Sequence, residues 1–180
     1  MIRTVLAGVA IAALAAGCAS TPMRKVTVDA ARLQGGVVND TLRCPYRLKD
    51  VVDARPAGTA AGGAGGLGAT AYAIADPAGI VREQLHSMGL VETTEGPELS
   101  VRLMQLYVGN TNGTKVPVAV YEWTLAGHTP AIIRSQPASM NWWGSDDEMT
   151  GALAIALREA NRRLVSELNR SCPAAPATAS

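Results

Sequence analysis

Any chemistry in this chain would have to come from a short cast of two histidines, three cysteines and fifteen carboxylates in 180 residues. His86 falls in an amphipathic helical stretch beside the apolar stripe, the ordinary place of a solvated helix-face residue, and His128 falls in a Gly-His-Thr-Pro turn. The spacings H-x-x-x-H, C-x-x-C and H-E-x-x-H do not occur, so a bound metal has no support. No serine stands in G-x-S-x-G, the frame that exposes a nucleophile at the top of a sheet. Asp146, Asp147 and Glu148 cluster, but acids in the first turn of a helix already have a reason in the helix dipole. Gly63 to Gly68 matches G-x-G-x-x-G. That fingerprint must directly follow a strand and open a helix, whereas here Pro56 precedes it and the next helix starts only at Asp76-Pro77. The expectation is a protein without catalytic residues, metal or cofactor.

The cysteine with the most informative surroundings is Cys18. Thr4 to Ala16 is almost wholly apolar, follows a single basic residue, Arg3, and is closed by small residues, which is signal-peptide anatomy. The run is too short for a hydrocarbon core of about 30 Å, which takes roughly 20 helical residues. Leu14-Ala15-Ala16-Gly17-Cys18 resembles the lipobox of bacterial lipoproteins at all of its positions. The resemblance implies cleavage before Cys18, a diacylglycerol on its thiol and an acyl chain on its new amine. Three acyl chains, at about 0.8 kcal/mol per buried methylene, anchor a protein durably. Residue 19 is Ala, and in the family's sorting rule an Asp there would favour the inner membrane. The implied location is the outer membrane, facing the periplasm.

Residues 1–17 are thus read as signal peptide, 18–25 as a lipidated tether, 26–172 as one domain and 173–180 as a disordered tail. The 163 residues left after the signal carry equal numbers of basic and acidic side chains, so nothing in the charge favours nucleic acid as a partner. Aromatics make up 4% and Phe is absent, which leaves the core to Ala, Val and Leu. Cys44 and Cys172 remain once Cys18 is modified. In an oxidising compartment such a pair most often forms a disulfide, two free thiols being the alternative.

The elements that would position these residues follow from pattern. Residues 46–54 alternate imperfectly and read as a strand ended by Pro56, with Val26 to Leu33 a first strand or part of the tether. Six glycines between Ala57 and Thr70 predict a loop, because glycine weakens helix and strand alike. Asp76-Pro77 opens a helix that Gly89 stops. Leu99, Val101 and Leu103 alternate and then change phase at Met104 toward Leu106 and Val108, which predicts a bulge. Asn112-Gly113 turns the chain into a second strand over Lys115 to Leu125, and Ala131 to Met140 reads as a third. Ser145 and Glu148 form a capping box ahead of an apolar stripe from Met149 to Leu168.

An antiparallel sheet of about four strands with one face to bury, and two striped helices to bury it, gives a two-layer α+β domain. With these elements placed, the chain resembles the YajG-type family of bacterial outer-membrane lipoproteins. The resemblance rests on the lipobox, Val-Val-Asp-Ala-Arg-Pro at 51–56 before a glycine-containing loop, Met88-Gly89-Leu90, the Leu99 to Leu106 strand and Ser145-Asp-Asp-Glu. It implies a periplasm-facing lipoprotein with no assigned catalytic residues, serving as an interaction or assembly module that contacts the membrane through its acyl chains and an envelope protein or lipid beyond it. The lipopolysaccharide-assembly lipoproteins and the auxiliary lipoproteins of lipid-transporting ABC systems are similar in element order, so a lipid carrier stands as the alternative. For the docking surface, the expectation is an open sheet face carrying Tyr121 and Trp123 near Trp142 and Trp143, if Val116, Val118 and Val120 face the helices. In the opposite arrangement these aromatics are core.

Overall fold

The computed structural model describes residues 24–34, 40–59, 61–64, 70–91, 95–111, 114–137 and 145–172. The expected signal peptide, Cys18, most of the expected tether, Trp142, Trp143 and the expected tail lie outside them. Among the described residues, seven strands and three helices follow in the order β1 (Arg24–Val28), α1 (Ala30–Leu33), β2 (Arg47–Asp53), β3 (Gly62–Ala64), β4 (Thr70–Ile74), α2 (Pro77–Ser87), β5 (Glu98–Thr111), β6 (Thr114–Leu125), β7 (Ala131–Ser135) and α3 (Asp146–Arg170). The class is α+β. The sheet is larger than the expected four strands and mixed rather than antiparallel: β1 pairs β4, and β2 pairs β5, in parallel. Arg24 and Lys25, assigned from sequence to the tether, belong to β1.

The long hairpin β5–β6 is the spine of the sheet, with β7 antiparallel on the outer side of β6. Its register shifts between Leu103 and Gln105, where the change of apolar phase predicts a bulge. The other edge of β5 is divided: β2 runs beside Glu98 to Leu103, and β3 pairs only at Val108, passing the sheet on to β4 and β1. The two halves are each tied to β5 beyond these strands, where Ala54 donates to the Leu103 carbonyl and Val108 to that of Ala61.

Glycine accounts for the strand inside the expected loop. Gly62 has φ +149°, and a Cβ there would lie 2.7 Å from Met149 Cε and 3.0 Å from the Val108 carbonyl oxygen. The residue that weakens a strand in isolation is here the one that lets β3 approach both β5 and α3.

α2 begins as its sequence predicts, with Asp76 accepting from the Gly79 amide at 2.9 Å behind Pro77. α3 begins with the full capping box, Ser145 Oγ accepting from the Glu148 amide at 3.2 Å and Glu148 accepting from the Ser145 amide at 3.0 Å. One core joins the layers. Leu99, Val101 and Leu103 of β5, Tyr121 of β6 and Met149, Leu153, Leu157 and Leu164 of α3 are fully buried in it. β2 contributes Leu48 and Val51, one on each side of the shift in its register between Leu48 and Asp50.

Candidate interaction surface

The expected docking face is not where the aromatics are. Tyr121 is completely buried, its hydroxyl donating to Asn161 Oδ1 of α3 at 3.0 Å, and Trp123 is half-buried against the same core. The sheet is therefore turned the opposite way, with Ala119, Tyr121 and Leu125 in the core. A chain with so little aromatic volume uses its tyrosine to fill the interior. Trp142 and Trp143 lie outside the described residues.

Tyr121 is one end of a buried polar chain. Asn161 Nδ2 donates to Gln84 Oε1 of α2 at 2.7 Å, and Gln84 Nε2 donates to the Leu33 carbonyl of α1 at 2.7 Å. Gln84 and Asn161 are 1% and 0% exposed. Burial of amides is favourable only when their donors and acceptors are matched, so these bonds permit one register of three helices and a strand. Sequence reasoning passed over both residues, although each interrupts an apolar stripe: Gln84 between Ile80, Val81 and Leu85, and Asn161 between Leu157 and Leu164.

Solvent meets apolar surface instead along β7. Ile132 is 60% exposed on a strand that ends the sheet, since β7 pairs β6 alone among the described residues. Between this strand and the outer stripe of α3 runs a groove of about 330 Å³ lined by Ile132, Arg134, Arg162, Arg163, Glu167 and Arg170, among others. Glu159 accepts from Arg162 at 2.8 Å and from Arg163 at 2.9 Å. The hydrogen bond from Arg162, and next that from Arg163, hold its carboxyl down at about 2. Arg163 also donates to the Arg134 carbonyl at 2.9 Å, covering one acceptor of an edge that would otherwise invite strand addition. Arg170 pairs with Glu167 at 2.9 Å, while among the described residues Arg134 reaches the amide oxygens of Gln136 and Gln105 and no carboxylate. Four guanidinium groups thus face the carboxylates of Glu159 and Glu167, with that of Asp40 also within electrostatic reach of Arg162. An excess of positive charge beside an exposed aliphatic side chain suits an acidic, partly apolar partner.

The remaining candidates are placed as follows. Cys44 and Cys172 are disulfide-bonded with Cα atoms 5.8 Å apart. Beside the bond lies a mainly apolar cavity of about 210 Å³ whose lining includes Tyr46, Pro97, Leu125 and His128. His128 is exposed there, its Nδ1 3.2 Å from the Ala126 carbonyl oxygen. His86 lies in the last turn of α2. Asp146 and Asp147 are engaged by Arg24 and Arg32, which ties the acid cluster to β1 and α1. Among the described residues no group of His, Cys, Asp and Glu could hold a metal ion, and no helix is long and apolar enough to cross a membrane.

No family model and no curated protein matches the chain. One solved structure, described only as that of an uncharacterized protein, is similar at 12% identity and a TM-score of 0.48 over 81% of this chain and 98% of the other.

Proposed function

We propose that this chain is a lipid-anchored, non-catalytic docking module of the bacterial envelope, held by acyl chains on Cys18 at the periplasmic side of the outer membrane. The observation that carries the docking role is the arginine-lined groove along β7, where Ile132 is 60% exposed. A module with a closed core and an exposed, charged apolar strip is built to dock, whereas a carrier encloses most of its lipid in an apolar cavity. Here the space between sheet and helices is filled by side chains at 0–1% exposure, Leu103, Leu106, Leu153 and Leu157 among them. The partner that fits the groove is an envelope protein presenting acidic side chains around an apolar one.

Mass spectrometry of the protein extracted from membranes in mild detergent tests the anchor and the role together. A triacylated peptide beginning at Cys18, with no lipid held non-covalently in stoichiometric amount, is the expected result. An unmodified Cys18 thiol in mature protein contradicts the anchor, and one lipid retained per chain contradicts docking in favour of carriage.

A further inference from the structure

The Val51 to Pro56 motif ends in a buried cation that the docking role leaves unused. Arg55 Nε and Nη2 grip Asp53 Oδ1 and Oδ2 at 2.8 and 3.0 Å, and the Arg55 amide donates to the same carboxylate at 3.2 Å. That hydrogen-bonded grip holds the Asp53 carboxyl below the usual carboxylate range. The Arg55 side chain is only 8% exposed, yet its buried Nη1 has no hydrogen-bond acceptor among the described residues. A charged donor left without an acceptor in the interior is unfavourable, and it lies where the sheet divides between β2 and β4. There a cavity of about 370 Å³ is lined by Arg55, Asp53, Lys25, Thr59 and Tyr72, among others. The turn at Pro56 to Thr59 frames it, Thr59 donating through both amide and hydroxyl to the Pro56 carbonyl.

We infer that this cleft binds a phosphate group, through Arg55 Nη1 and the Lys25 ammonium. The Nε and Nη2 edge of the guanidinium, which suits a carboxylate two-on-two, is already taken by Asp53. What remains is the Nη1 amino group with its two N–H donors and one ammonium point charge set apart from it, an arrangement matched to a tetrahedral oxyanion that offers oxygens in several directions. Two cations against the single carboxylate of Asp53 leave one positive charge for the ligand. The volume is that of a small ligand site, with room for a substituent on the phosphate. The inference stands independently of the groove on β7, which lies at the other end of the strand order.

The test is equilibrium binding of inorganic phosphate, glycerophosphoglycerol and acetate to the full chain in a phosphate-free neutral detergent. Saturable binding of one phosphate probe per chain is expected, with acetate at least tenfold weaker. Tighter binding of glycerophosphoglycerol identifies a lipid headgroup as the source, and equal or tighter binding of inorganic phosphate a free ion. Arg55→Gln should weaken binding at least tenfold and Lys25→Gln several-fold. Lys25 is an exposed strand residue, so Lys25→Gln decides the matter if Arg55→Gln does not fold. Absence of saturable binding, acetate bound as well as phosphate, or an unchanged affinity in the folded variants overturns the inference.

Discussion

Tyr121 shows at the scale of one residue what burial does to a polar group. Loss of solvent pushes its hydroxyl far above the ordinary tyrosine range. Burial first, and then the hydrogen bond to Asp146, push Tyr72 up to about 12. In the unfolded chain both ionise near 10, so above that pH the unfolded state loses protons that the folded state keeps. Stability is then present in full below about pH 10 and falls as pH rises beyond it. Denaturant midpoints measured from pH 8 to 12 should show this decline, and Tyr121→Phe should make it shallower. At neutral pH the same variant leaves Asn161 Oδ1 without the tyrosine hydroxyl, at a cost of about 1–3 kcal/mol. An alkaline limb as steep in Tyr121→Phe as in the parent would mean that Tyr121 does not carry this effect. The burial of Tyr121 was only half legible in the sequence. Alternation places Tyr121 and Val120 on opposite faces, but which face is inward depends on Asn161, forty positions away.

At the scale of the elements, local signals read well wherever they are local. Asp76-Pro77, the Ser145 and Glu148 box and the phase change at Met104 act through neighbours within four residues, and each appears in the structure where the sequence puts it. β3 and β4 were not legible. Gly62 and its neighbours form a strand only because Val108 and Met149 lie beside them, and β4 is held by parallel pairing to β1 across more than forty residues. A parallel partner that far off leaves no turn signal to read. The segment before β2 is likewise fixed from a distance. Asn169 donates to the Thr41 carbonyl at 3.1 Å and accepts from the Arg43 amide at 2.8 Å, and Tyr46 donates to the Leu168 carbonyl at 2.6 Å. The disulfide closes this seam over a separation of 128 residues, which restricts the unfolded chain by about 5 kcal/mol in the chain-entropy treatment. Reduction, or Cys44→Ser with Cys172→Ser, should therefore lower unfolding free energy by up to that amount in chemical denaturation. A reduced protein as stable as the oxidised one would place the stability of this end in the hydrogen bonds and packing alone.

Across the whole molecule, chemistry and architecture divide the surface. The sequence brought no catalytic constellation together, and the structure gathers four arginines along β7 and α3 while Tyr121, an expected docking residue, serves the core. The groove was not legible beforehand because its parts come from Ile132 and Arg134 on one element and Arg162, Arg163 and Arg170 on another, brought side by side only by packing of α3 on the sheet. The most direct measurement places a photoreactive amino acid at Ile132, with Val91, itself 42% exposed, as the control position, in the full chain in native envelopes. The account predicts one discrete protein adduct from position 132, none from position 91, and loss of most of that adduct when Arg162 and Arg163 are both changed to Glu. Lipid adducts alone from position 132, or a protein adduct indifferent to the charge reversal, would contradict it.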